Sequence, residues 1–188
     1  MDLRIQRTRA NIHSAFIELR SRKPIEKITI KELSELAFIN KATFYQHYHD
    51  IYDLAESMED ELIDNIIGSI PHPDTLLDQP GRATVEIFQA FQSQTRLLYI
   101  LFSGSRRSVL VTKIEERIRD LVMRSHPEYA QCEEKEILLT FAIQGSFHAF
   151  LKHGGQEPER VIRTIAGYTQ KMGAPDGNNI LPPSSSGG

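Results

Sequence analysis

Between Asn40 and Tyr48 the chain carries Lys41, Thr43, Tyr45, Gln46 and His47, with no acidic residue among them. An ammonium, a hydroxyl, a phenol, a carboxamide and an imidazole offer hydrogen-bond donors and acceptors at several reaches. Such a set suits recognition of a polar surface better than bond breaking. His47 and His49 stand two apart, which puts them on divergent sides of a helix, and no metal site is read from them. His72, His126, His148 and His153 are scattered. The sequence contains no Ser/His/Asp set in a recognisable context and no glycine-rich phosphate loop. The one cysteine, Cys132, excludes an intramolecular disulfide and any multi-cysteine metal centre. Glu133 and Glu134 follow it, and their negative charge disfavours the thiolate, so it reads as inert. Neither an enzyme nor a cofactor is expected.

The elements around this cluster are helical. Ala10, Ile12, Phe16, Ile17 and Leu19 approximate one apolar face, so a first helix is expected from about Thr8 to Arg22, stopped before Pro24. Thr29 and Glu32 have the spacing of a capping box and open a second helix, whose apolar face is Leu33, Leu36 and Ala37. Asn40 is a good N-cap for a third short helix ending near Tyr48. Two short capped helices joined by two or three residues form a helix-turn-helix pattern, in which the second helix offers its N-terminal residues to a DNA major groove. Leu33, Leu36, Ile39 and Phe44 are expected to bury the inner faces.

Asp50 caps a fourth helix with Leu54, Met58, Leu62, Ile66 and Ile67 at helical spacing, ended by Gly68 and Pro71. The Pro-, Asp- and Gly-rich stretch 71–81 reads as a loop. Further helices are expected at about 82–94, 95–102, 106–124, 133–153 and 158–173. No alternating strand pattern of useful length occurs. The expected fold is therefore all-α, with about nine helices. It divides into a DNA-binding domain at 1–49, a helical regulatory and dimerisation domain at 50–173, and a disordered tail at 174–188 that ends in Pro-Pro-Ser-Ser-Ser-Gly-Gly.

Charge sharpens this division. The 188 residues sum to a net charge of −3. Residues 1–48 hold nine Lys/Arg against five Asp/Glu, net +4, and the remainder holds thirteen against twenty, net −7. A basic head on an acidic body implies that the head meets a polyanion. No uncharged apolar run is long enough to span a membrane, and the first twenty residues hold no apolar block of the secretory kind, so a cytoplasmic location is expected.

Ile28-Thr29-Ile30-Lys31-Glu32-Leu33, followed by Asn40-Lys41-Ala42-Thr43-Phe44-Tyr45-Gln46-His47-Tyr48-His49-Asp50, resembles the DNA-binding signature of the tetracycline-repressor (TetR) family. Arg7-Thr8-Arg9 and the run Asp50, Asp53, Leu54 fit it as well, and the motif spans about residues 7–55. The resemblance implies a homodimer that represses transcription at a palindromic double-stranded operator and leaves it when a small molecule binds the C-terminal domain. Position by position it assigns Lys41, Ala42, Thr43, Tyr45 and His47 to the groove. It assigns Tyr45, Thr29, Arg4 and Thr8 to phosphates. Lys41 can donate to guanine O6 and N7, and the Ala42 and Thr43 methyls can meet a thymine methyl. Arg4, Arg7 and Arg9 supply salt-dependent attraction. Two positions depart from the family pattern. Phe38 stands where the family often has Gly, and a bulky residue resists positive φ, so a different turn backbone is expected. Ile51 stands where the family usually has Lys, so that phosphate contact is absent.

Beyond residue 55 the chemistry has two readings. Phe88, Phe91, Leu98, Phe102, Phe141 and Phe147 either fill a plain core or line an effector pocket. Ile137, Phe141, Gly145, His148, Val161, Ile165 and Tyr168, on the last two helices, either complete a monomer core or form the dimer interface that the resemblance implies. Arg106-Arg107 either greets an anionic effector or begins a solvated helix. A partner protein in place of a small molecule, giving a co-regulator or activator, is the alternative control. In either case the effector must bind the DNA-incompetent state more tightly than the competent one.

Overall fold

The computed structural model describes residues 3–127 and 131–173; the expected tail at 174–188 lies outside the described residues. The protein is all-α. Among the described residues there are nine α-helices and no strand: α1 (Leu3–Arg20), α2 (Ile30–Leu36), α3 (Lys41–Tyr45), α4 (Ile51–Gly68), α5 (Pro80–Ser93), α6 (Thr95–Leu101), α7 (Arg107–Ser125), α8 (Glu133–His153) and α9 (Pro158–Met172). Single 3-10 turns at Ile25–Lys27, Pro73–Thr75 and Gly104–Arg106 link some of them. No helix among the described residues is long and apolar enough to cross a membrane, and no cluster of three or more His, Cys, Asp or Glu residues there could hold a metal ion.

Most boundaries follow the sequence signals within two residues, and two do not. α1 begins at Leu3 rather than Thr8. Its first two turns carry good helix formers such as Arg4, Gln6 and Arg7 and no breaker. They are exposed, so no apolar periodicity marks them; burial starts at Ile12. α3 ends at Tyr45 rather than Tyr48. The chain then tightens, with the amides of His47 and Tyr48 both donating to the Phe44 carbonyl at 2.9 and 3.0 Å.

The chain forms two compact units, which do not follow the expected boundary at Asp50. The first comprises residues up to Ile66 together with Gln94–Lys113; the second comprises Ile67–Ser93 and the described residues from Ile114 onward. Within the first unit run several polar contacts that the sequence pattern does not reveal. In the first unit Arg20, buried at the end of α1, donates to the Leu101 and Ser103 carbonyls at 3.2 Å and to Ser103 Oγ at 2.7 Å. It thereby satisfies the open Leu101 carbonyl at the C-terminus of α6. Glu59 on α4 is fully buried and receives a forked bond from Arg106, with Nε to Oε1 at 2.8 Å. Lys113 Nζ reaches Asp60 Oδ1 at 2.8 Å. These contacts hold α4, α6 and the start of α7 with α1. Around them Ile12, Phe16, Leu33, Phe44, Leu54 and Ile63 are wholly buried, each stabilising by about 1.5–3 kcal/mol through lost apolar exposure.

In the second unit α5 and α9 are the most closely associated helices. Gly81 permits this approach, since a Cβ there would stand 2.9 Å from the Ala166 carbonyl oxygen. The Gly81 amide donates to Gln170 Oε1 at 3.1 Å, and the Thr84 and Thr169 hydroxyls meet at 2.8 Å. Phe88 lies against Phe147 and Phe150 with ring centroids 4.8 and 4.7 Å apart, and Phe91 meets Phe147 edge-on at 5.1 Å. Glu115 on α7 accepts from Thr140 and Gln144 on α8.

Candidate nucleic-acid interface

Thr29 caps α2, its hydroxyl oxygen accepting from the Glu32 amide at 3.2 Å. Only this half of the expected reciprocal box forms, because the Glu32 carboxylate is engaged by the Lys23 ammonium. Past Leu36 the chain turns through a Schellman motif. The Ile39 amide donates to Ser34 O at 3.0 Å and the Phe38 amide to Glu35 O at 3.3 Å. Phe38 adopts φ 55° in this motif and is 91% exposed. The expectation of a different backbone is thus corrected. The turn keeps the left-handed residue that the hydrogen bonds require, and the phenyl side chain meets no crowding because it projects into solvent.

Asn40 then caps α3, with Oδ1 accepting from the Thr43 amide at 2.7 Å and from the Thr43 hydroxyl at 3.0 Å. Phe44 is the anchor. It is wholly buried, and it fixes which side chains of the short helix face outward. Tyr45 stands edge-on to Phe44, with centroids 5.7 Å apart and planes at 82°, and remains 57% exposed. Lys41, Ala42, Tyr45 and Gln46 are exposed, while Thr43 and His47 are half-buried. Lys41 has no ion-pair or hydrogen-bond partner among the described residues. The sequence-assigned set Lys41, Ala42, Thr43, Tyr45 and His47 is therefore brought together within the seven residues 41–47, with Lys41, Ala42 and Tyr45 exposed.

Thr29 is exposed at the start of α2. Arg4 and Thr8 lie on the first turns of α1, where the Thr8 hydroxyl donates to the Arg4 carbonyl at 3.0 Å. His49 lies beyond the helix; its amide and ring both contact Asp53 Oδ2, at 2.8 and 3.1 Å. Those bonds hold the Asp53 carboxyl below its usual range, the backbone amide contributing most. Ile51 is buried and supplies apolar packing.

One residue at this site was missed by the sequence reading. Tyr48 is buried, and its hydroxyl lies 2.8 Å from His13 Nε2. The same hydroxyl raises the Arg9 pKa by hydrogen bonding to its guanidinium. The signal was present, since Tyr48 stands four residues after Phe44 and so shares its inner face.

In the second unit an apolar cavity of about 140 Å³ opens among α5, α7, α8 and α9, with Phe88, Phe147, Ile118 and Val122 in its walls. Of the six candidate pocket residues, Phe88 and Phe147 line it and Phe91 packs behind Phe147. The other three are corrected. Leu98 and Phe102 belong to the first compact unit. Phe141 is 66% exposed, because Ile143 and Phe147 are the inward positions of α8 and leave 137, 141 and 145 on the far face, along a separate open groove.

The candidate interface residues divide similarly. Ile137, Phe141, Gly145, His148 and Tyr168 are exposed. Val161 and Ile165 are buried on the inner face of α9 beside Ile162, Ala166 and Thr169, and are unavailable to a second chain. Arg106 does not greet an effector, since its guanidinium is committed to Glu59. Compared with protein-family models, characterised proteins and solved structures, the chain matches none.

Proposed function

We propose that this chain is a homodimeric, sequence-specific DNA-binding protein of helix-turn-helix type that represses transcription and is released by a small molecule. The observation that carries the reading is the two-sided character of α3. Phe44 is wholly buried on one side, while Lys41, without a partner among the described residues, and Tyr45 stand exposed on the other. A short rigid helix with an anchored inner face and a polar outer face suits base-edge and phosphate contacts in a major groove. The basic balance of residues 1–48 supports the same partner.

One α3 helix buries too little surface for tight binding, and two tethered copies gain affinity by effective concentration. The exposed stripe Ile137, Phe141, Gly145 and His148 recurs at helical spacing along α8 and supports a second copy as its occupant. The apolar cavity supports a small molecule over a partner protein as the controlling signal.

Selection of bound sequences from a random duplex pool across a salt series tests the reading. The expected result is a palindrome whose half-sites lie one or more helical turns apart, about 10 base pairs each. Binding that shows no sequence preference at any salt would overturn it.

A further inference from the structure

The cavity in the second unit points to the chemical class of its occupant. Its volume of about 140 Å³, open to solvent on one side, is close to the roughly 150 Å³ of a cavity lined by Leu, Ile and Phe that takes up benzene. Phe88 and Phe147 present ring surface to it. No buried charged side chain lines it; the one charged residue at its edge, Lys135, is exposed. A charged ligand drawn inside would lose its hydration without a buried counter-charge, which costs far more than the apolar contact returns.

The wall carries three hydroxyls. Thr84 Oγ1 lies 2.8 Å from the Pro80 carbonyl and 2.8 Å from Thr169 Oγ1, and Thr169 Oγ1 lies 3.1 Å from the Ala166 carbonyl. Whichever of the two donates across the Thr84–Thr169 contact, the other has a backbone carbonyl within reach for its own hydrogen, Pro80 O for Thr84 or Ala166 O for Thr169. Ser146, half-buried, has no hydrogen bond among the described residues and offers the remaining hydroxyl.

We infer that the cavity binds an uncharged monocyclic aromatic molecule, with room for one small polar substituent that meets Ser146. This deepens the effector reading above and rests on it for its regulatory meaning, but the binding itself requires no DNA.

The test is calorimetric titration of the full chain with toluene, phenol and benzoate, with no DNA present. Toluene and phenol are expected to bind and benzoate to bind at least tenfold more weakly. Ser146→Ala is expected to weaken phenol about two- to tenfold, the range of one hydrogen bond, and to leave toluene unchanged. Ala83→Leu, which fills the cavity, is expected to abolish both. Should Ala83→Leu fail to fold, saturation transfer from the Phe88 and Phe147 rings to bound toluene gives the location independently. Absence of toluene and phenol binding, tighter binding of benzoate, or transfer from other rings would overturn the assignment. An operator measured separately distinguishes the two failures: ligand binding without DNA binding sinks the repressor reading alone, and DNA binding without ligand binding sinks this one alone.

Discussion

The Tyr48 hydroxyl lies 2.8 Å from Nε2 of His13, thirty-five positions earlier, and ties the turn after α3 to the middle of α1. Burial pushes the His13 pKa below its ordinary 6.5; Glu61 pulls it up and Arg9 pushes it further down, with burial the largest effect. The unfolded chain therefore takes up a proton that the folded chain refuses. Stability is complete above about pH 6.5 and falls as pH drops below that value. Thermal melts at about pH 8 and about pH 5.5 should show a larger loss for the wild type than for His13→Gln, whose amide still reaches Tyr48. Equal losses would remove His13 as the cause.

Phe38 holds a left-handed backbone conformation that costs a residue with a side chain about 1–2 kcal/mol. Glycine removes that strain but adds about 0.5–1 kcal/mol of unfolded-state freedom. Phe38→Gly should raise stability by about 0.5–1 kcal/mol, and the β-branched Phe38→Val should lower it. Urea midpoints at unchanged slope are the measurement, and a destabilised glycine variant would contradict the strain account.

Glu59 is wholly buried and answers the Arg106 guanidinium, whose pKa it raises through the shared hydrogen bonds. Glu59→Ala leaves the half-buried Arg106 guanidinium without its partner and should cost about 2–3 kcal/mol, below the roughly 3–5 kcal/mol of a fully buried pair because solvent reaches part of the cation. The double variant Glu59→Leu with Arg106→Met should recover most of that loss, because the pair is replaced by packing rather than broken. If the double variant is as unstable as Glu59→Ala, the pair contributes more than its own compensation.

Tyr45 and Phe44 are neighbours with opposite exposure. Tyr45→Ala should leave helical content and melting temperature almost unchanged while lowering operator affinity by at least tenfold, about 1.4 kcal/mol. Phe44→Ala should cost about 3–5 kcal/mol of stability. Circular dichroism and a mobility-shift titration on the same preparations separate the two effects. Unchanged affinity for Tyr45→Ala would remove α3 as the reading helix.

The helices were readable because each announces itself locally. Thr29, Asn40 and Asp50 each accept from an amide of the helix they open, and Gly68, Pro71, Pro127 and Gly154 mark ends. Phe44 was readable as an anchor for the same reason, by its spacing from Leu36. α1 escaped in its first turns because an exposed polar helix has no periodicity to see. The misassignments lie where burial depends on which helix a face meets. Nothing in the sequence distinguishes Val161, which is buried, from Tyr168, which is 64% exposed, until α9 is laid beside α5.

By itself the sequence determined an all-α chain, the capped pair of short helices and the polar outward set on the second of them. Caps, breakers and the 3.6-residue period act within a few residues, so they survive in one dimension. The tertiary structure decided the rest. It set the division into two units, the burial of Arg20, Glu59 and Tyr48, and which aromatics enclose space and which face solvent. Those outcomes depend on partners thirty-five to more than eighty residues away, and no local pattern encodes where a distant surface will arrive.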